Sequence, residues 1–400
     1  MVTYYRMRRD VIVSERDLLM IPGPIVFDPA VLRAMSKPTE SHVSASFIEV
    51  FGRTLGGVRK VFLSSNGQPF VMAGSGSLAM DMAAANLIET GDDVLVISTG
   101  HFGDRFAAIA GRYGGRVQVL NAPLGDIVPL DEIEAALKAR QFKVLIVTHV
   151  DTSTAVRTPV KDIARLASQY GALSVVDGVC ATAGEECRQE EWGIDVYLTA
   201  SQKAIGVPPG LALMVVSPRA LATFQARRTP VASYYVDFAN WLPIMEAYEN
   251  RKPAYYGTPA VNLIYALDES IRQILAEGMD ARFRRHRIMG QAFKAGLAAM
   301  GLKEVVVRPE ISAFTLTAAY YPEGVDAQLL GKVLANGVVL AGGLHAQIRT
   351  RYFRIGHMGA VTAGDILATL AAMEKGLNDL GYATEQGLAV AVAQKHLLQL

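Results

Sequence analysis

The chain has 400 residues, of which 51% are hydrophobic and 8% aromatic, and a formal net charge of +1. That length suits two or three domains with large cores, and the near-neutral balance gives no drive toward nucleic acid or an anionic membrane. Only Cys180 and Cys187 are present, too few for a disulfide framework, and no run approaches the ~18 apolar residues of a spanning helix.

Arg6, Arg8 and Arg9 are not followed by the apolar stretch of a signal peptide, and Leu398-Gln399-Leu400 is not a peroxisomal address. A cytoplasmic location is therefore expected.

From about residue 58 to residue 217, short apolar runs alternate with helical patterns. Strands are expected at Phe70–Ala73, Val94–Ser98, Val117–Leu120, Val144–Thr148, Leu173–Val176, Val196–Thr199 and Leu211–Val216. Several are apolar at consecutive positions, as strands covered on both faces are. Helices are expected at Leu78–Glu89, Arg105–Tyr113, Leu130–Ala139 and Val160–Tyr170, with Gly91, Gly114 and Gly171 marking the ends of three of them. The alternation reads as an α/β fold built on a mostly parallel seven-stranded sheet.

The pattern changes near residue 260. Helical stretches Ala260–Glu277 and Ala281–Met300 are followed by expected strands Val305–Val307 and Phe314–Thr317, a helix Ala327–Leu334, and strands Val338–Leu340 and Tyr352–Ile355. Thr362-Ala363-Gly364-Asp365 has capping-box spacing and opens a last helix. We divide the chain into an N-terminal arm (1–20), a large domain (21–277) and a smaller α+β domain (278–400).

Lys203 carries the most information. It follows the strand ending at Thr199 and precedes the turn Gly206-Val207-Pro208-Pro209-Gly210, an unusual setting for a surface lysine. Asp177 ends another apolar strand. An amine and a carboxylate at the ends of two strands of one sheet suit an aldehyde cofactor held as a Schiff base, with the acid on its ring nitrogen. That chemistry is pyridoxal phosphate. The loop Gly74-Ser75-Gly76-Ser77-Leu78-Ala79 lies between a strand and a helix, where glycines and free amides can receive a phosphate. It also fits a dinucleotide fingerprint, which needs an acid at the far end of the next strand. Asp92 and Asp93 precede that strand instead.

These segments, with Pro22-Gly23-Pro24, Ser41-His42, Gly100-His101-Phe102-Gly103-Asp104-Arg105, His149 to Thr154, Ser201 to Ala204, Tyr255 to Pro259 and Phe353 to Gly356, occur in family order. Together they resemble the class V aminotransferases, in particular the alanine–glyoxylate/serine–pyruvate branch of fold-type I pyridoxal-phosphate enzymes.

The resemblance implies that Lys203 forms the Schiff base and moves protons. Asp177 would pair with the pyridine nitrogen, Phe102 stack on the ring, and Ser153 reach the phenolic oxygen. Ser75, Gly76, Ser77 and Gln202 would cradle the phosphate, joined by Tyr255 and Thr258 of a second subunit in a homodimer with shared active sites. Arg354 would grip the substrate carboxylate. Small amino acids and 2-oxo acids are the expected substrates.

Departures from the family pattern, such as Ile21 before Pro22, Ser41 before His42, and Ser77 in the phosphate loop, touch the pocket wall and bear on side-chain specificity. A desulfurase-type lyase shares the fold, but those enzymes usually carry His before the lysine and a mobile-loop cysteine. Here Gln202 precedes it, and no cysteine follows residue 187. A glyoxylate aminotransferase using a ureido-amino acid is a closer alternative. The seven histidines show no metal-ligand spacing, so no metal is expected; His42 is a candidate for the site entrance against a plain structural role, and Cys180 is placed in the core.

Overall fold

The computed structural model describes residues 17–400. The arginines of the first ten residues, and most of the N-terminal arm, lie outside this range.

Twelve strands form three sheets among the described residues. They are β1 (Leu18–Leu19), β2 (Gln68–Ala73), β3 (Asp93–Ser98), β4 (Arg116–Asn121), β5 (Val144–Thr148), β6 (Leu173–Asp177), β7 (Val196–Ala200), β8 (Leu211–Val216), β9 (Leu316–Tyr320), β10 (Val338–Val339), β11 (Ala341–Gly342) and β12 (Tyr352–Gly356). The helices are α1 (Pro29–Met35), α2 (Ala45–Val61), α3 (Gly76–Leu87), α4 (His101–Arg112), α5 (Leu130–Ala139), α6 (Val160–Gln169), α7 (Pro218–Gln225), α8 (Phe238–Glu249), α9 (Val261–Glu277), α10 (Met279–Ala299), α11 (Gln328–Ala335), α12 (Ala363–Asn378) and α13 (Leu388–Leu397).

The large sheet has seven strands in the order β2-β8-β7-β6-β5-β3-β4, as the apolar runs predict. Only β8 runs against its neighbours. Every residue of β5, β6, β7 and β8 is buried, because helices cover the sheet. Helix α6 shows how the cover is built: Val160, Ile163, Ala164 and Ala167 recur at helical spacing and are buried. Helix α3 packs on β7 and β8, and α4 on β3, β4 and β5.

With β8 the exception, the strands point the same way, so the carboxyl ends of β2, β3, β5, β6 and β7 share one edge. In open α/β sheets that edge is where ligands bind.

The C-terminal part packs α10, α11, α12 and α13 around a second core containing Met20, Phe293, Phe353 and Leu370. Its antiparallel sheet runs β11-β12-β9, and β1 pairs with β10. The capping box of α12 forms as expected, with Thr362 and Asp365 exchanging hydrogen bonds.

Three expected strands differ. Residues 305–307 form no strand, because the Val305 amide donates to Ala318 while the Val307 amide donates to Gly125. The expected strand at Phe314 starts at Leu316, since the Phe314 and Thr315 amides are taken by the buried Glu185 carboxylate. The run Val338–Leu340 breaks at Leu340, where the chain changes partner from β1 to β12. Among the described residues, no helix is long and apolar enough to cross a membrane.

Candidate active site

Lys203 sits just beyond β7 and is buried to all but 8%. Its Nζ donates to the Pro22 carbonyl, which brings the segment after β1 over the sheet edge. Gly23 has φ of +124°, and a Cβ there would lie 2.7 Å from Lys203 Nζ, so only glycine lets the backbone pass this close to the amine.

Asp177 closes β6, which is hydrogen-bonded to β7, and is buried. Burial pushes its carboxyl up to about 7. The Val179 amide, 2.9 Å from Oδ1, opposes the shift, the nearby Asp151 charge adds to it, and Lys203 and Arg105 pull it back. The sheet therefore holds a carboxyl poised for a cationic or N–H partner in the neighbourhood of a buried amine.

The third element was not among the expected site residues. Asp151 follows β5 and is fully buried. Its Oδ2 accepts the Phe102 amide at 2.9 Å and the Gly103 amide at 3.4 Å, capping the otherwise uncapped amino end of α4. Its Oδ1 accepts the Ser153 amide at 2.8 Å and the Ser153 hydroxyl at 2.5 Å. The Ser153 hydroxyl also accepts the His101 amide at 3.1 Å. One carboxylate thus fixes both Phe102 and Ser153. Gly103 lets α4 approach, because a Cβ there would lie 2.7 Å from the Ser98 Cα. The signal for Asp151 was an acid shortly after a buried strand, which needs a partner when the fold closes.

Ser75 is the N-cap of α3 but makes no side-chain cap bond, leaving that amino end open at the shared edge. A Cβ at Gly76 would meet Val179 at 2.9 Å. The Ser77 hydroxyl accepts from Arg105 at 3.2 Å. Gln202, next to Lys203, has a buried Oε1 with no hydrogen-bond partner among the described residues. An uncapped helix, small side chains and an orphaned amide oxygen next to the lysine suit a phosphate-bearing pyridoxal.

Arg354 lies on β12. Its Nε donates to the Gly342 carbonyl at 2.9 Å and one Nη to the Thr152 carbonyl at 3.3 Å. Burial lowers its pKa, and among the described residues no carboxylate pairs with it. A guanidinium held by two carbonyls keeps a charged edge for an incoming carboxylate. Tyr352 joins β12 to the site: its hydroxyl donates to the Ser153 carbonyl at 2.6 Å and accepts the Leu344 and His345 amides, each at 2.8 Å.

Other expected residues stand apart. Tyr255 and Thr258 are exposed, and within this chain Tyr255 meets the His42 ring, centroids 5.2 Å apart, rather than the Ser75–Ser77 loop. Cys180 is buried with Sγ 2.7 Å from the Thr152 hydroxyl. His149 is buried against the Tyr197 hydroxyl at 2.9 Å, and burial lowers it to about 3, so it stays neutral. Asp93 pairs with Arg116 at 2.8 Å at the start of β3, remote from the end a ribose would need.

This sheet edge is that of a fold-type I pyridoxal-phosphate enzyme. The family model for class-V aminotransferases matches residues 33–363, and the chain belongs to that family. It is 42% identical to alanine–glyoxylate aminotransferase 1 of Saccharomyces cerevisiae over 360 residues, covering 87% of this chain and 93% of the yeast protein. It is 31% identical to a serine–glyoxylate aminotransferase of Methylorubrum extorquens, covering 96% of each. The crystal structure of ureidoglycine–glyoxylate aminotransferase from Bacillus subtilis superposes with a TM-score of 0.90 at 29% identity, covering 98% of this chain and 100% of that one. The chain is a pyridoxal-phosphate-dependent aminotransferase.

Proposed function

We propose that the protein transfers the amino group of alanine or serine to glyoxylate or pyruvate. The observation that carries this is the buried Asp177–Lys203 neighbourhood at the ends of two paired strands, together with an Arg354 guanidinium that has no carboxylate partner among the described residues. The yeast and Methylorubrum relatives, which bear alanine–glyoxylate and serine–glyoxylate names, support the choice of small donors and glyoxylate.

The cofactor, when bound, supplies an electron sink for charge released at the substrate Cα. Asp177 keeps the ring nitrogen protonated, the role for which a carboxylate at a cationic ring is suited. Lys203 would hold the cofactor's aldehyde carbon through its amine, and the same amine, buried beside the sheet edge, would serve as the base that moves the substrate's Cα proton. Phe102 and Ser153, both tied to Asp151, orient the ring, while Ser75, Gly76, Ser77 and Gln202 hold the phosphate. Arg354 binds the carboxylate of donor and acceptor alike, so one site serves both half-reactions.

A desulfurase-type lyase lacks support, because Cys180 and Cys187 are both buried and burial pushes the Cys187 thiol up. Two buried free thiols suit a reducing compartment, and we place the protein in the cytoplasm. The separate core around Phe293 and Leu370 supports the division near residue 277. Tyr255 and Thr258, exposed in one chain, are assigned to the phosphate of the second subunit in a homodimer.

Borohydride reduction of the yellow protein should leave a phosphopyridoxyl group on Lys203. Its mass-spectrometric appearance on another lysine, or nowhere, would overturn the site. Single-turnover bleaching of the absorbance by each amino acid then ranks donors, with alanine or serine fastest. A faster aspartate would overturn the donor class alone.

A further inference from the structure

We propose that Arg105 is the cation that neutralises the cofactor's phosphate, an inference that rests on the pyridoxal-phosphate reading above. The residues assigned to that phosphate are Ser75, Gly76, Ser77, Gln202, Tyr255 and Thr258, and none of them carries a charge. A phosphate ester near pH 7 carries between one and two negative charges, and small neutral donors with the roughly half-unit positive end of α3 leave much of it uncompensated.

Arg105 follows the first turn of α4 and is exposed, so its guanidinium is accessible. Three observations place it over the phosphate loop. One Nη donates to the Ser77 hydroxyl at 3.2 Å, at the open amino end of α3. Its Cζ lies 4.8 Å from the centroid of the Phe102 ring, a cation–π contact that ties it to the ring-stacking residue. Its charge is also felt at Asp177, whose pKa it helps to lower.

Nothing nearby consumes that charge. Its other Nη lies 3.1 Å from His101 Nε2, and burial followed by the Arg105 charge lowers the His101 pKa, so the ring serves as a neutral acceptor. Asp104, the adjacent acid, accepts from the Ser98 hydroxyl at 2.7 Å instead. Among the described residues, Arg105 has no carboxylate partner. A guanidinium has five donors, so contacts with Ser77 and His101 leave others for two phosphate oxygens.

The test separates phosphate recognition from scaffold support by using two ligands that share a ring. The full-length protein, stripped of cofactor, is titrated with pyridoxal phosphate and with unphosphorylated pyridoxal. Arg105→Met should raise the Kd for pyridoxal phosphate by roughly ten- to hundredfold, the loss of a charge-assisted hydrogen bond. The Kd for pyridoxal should hardly move. Arg105→Lys, a point charge without the planar fork, should recover part of the loss. Inorganic phosphate should raise the Tm of the stripped wild type and not that of Arg105→Met. Equal weakening of both ligands, or no weakening of either, would overturn the role. A wild type that binds no pyridoxal phosphate would overturn the enzyme reading itself, and this inference with it.

Discussion

Asp151 receives the Phe102 amide 2.9 Å from its Oδ2, so a carboxylate in the loop after β5 sets the first turn of the helix that follows β3. The two strands are neighbours in the sheet, which makes the bond possible despite the sequence separation. Because the other oxygen holds Ser153, one buried group sets both of the side chains proposed to orient the cofactor ring.

Asp151→Asn should therefore destabilise the protein even without cofactor. An amide offers one acceptor where the carboxylate had two, and its NH2 faces groups that themselves donate. Leaving buried donors unsatisfied costs about 1–3 kcal/mol each. Urea unfolding of the cofactor-free variant should show a lower midpoint with an unchanged m-value. A midpoint equal to wild type would mean that water or another acceptor replaces the carboxylate.

Asp177 should make the stability of the cofactor-free protein depend on pH. Its unfolded carboxyl loses its proton near 3.8, whereas burial lets the native one keep it to about 7. Between those values the native state binds the extra proton, so stability falls as pH rises, and above about 7 the full penalty is present. Asp177→Asn, neutral throughout, should match wild type near pH 4 and be the more stable at pH 8. The same variant should lose orders of magnitude in kcat, because the ring nitrogen loses its anionic partner. Parallel wild-type and variant stabilities across this range would refute the buried-acid argument. A near-normal kcat would refute the functional one.

Much of this was legible in the chain. Strands β5 to β8 are buried on both faces, which is why they read as largely apolar runs. Lys203 and Asp177 stand out because a charge after such a run has few structural excuses. The reversal of β8 is not written in its apolar residues, which carry no direction. It was hinted at by the short connection from Ala200 to Leu211, which leaves little room for a parallel crossover. Helix α2 carried a readable signal, with Phe47, Phe51, Leu55 and Val58 on one face after the Ser44 cap. Arg105 and Asp151 lay inside recognisable motifs, yet Arg105's contact with Ser77 and Asp151's with Phe102 reach across to other elements. Helical spacing does place Arg105 on the face of Phe102, three residues away, and that was the available clue. The bond from Arg354 to Thr152 joins β12 to the loop after β5 and had no local signature.

Arg354 should govern both substrates equally. Losing a buried, hydrogen-bonded charge partner typically costs about 2–5 kcal/mol. Arg354→Ala should raise KM for the amino acid and for the oxo acid together, while the Kd for pyridoxal phosphate stays close to wild type. A simple comparison checks the clamp without mutation: the wild type should turn over alanine far faster than ethylamine, its decarboxylated counterpart. Equal rates would show that no carboxylate is being read.

The proposed sharing of sites can be tested by complementation. Tyr255 is 66% exposed and meets His42 rather than the Ser75–Ser77 loop of its own chain, which is the arrangement expected of a residue that serves a partner. Lys203→Ala should abolish activity, and the double variant Tyr255→Phe/Thr258→Ala should weaken phosphate binding. Co-expressed with different tags and isolated as a heterodimer, the two chains should build one intact site, with Lys203 from one and the Tyr255/Thr258 loop from the other. The second site would carry both defects, so activity should approach half that of wild type per dimer. If each chain instead completes its own phosphate site, one site lacks its lysine and the other keeps the weakened loop. The heterodimer would then show, at limiting cofactor, only half the activity of the double variant, with no gain over that parent. That result would dismiss the shared site while leaving the roles of Lys203 and Asp177 untouched.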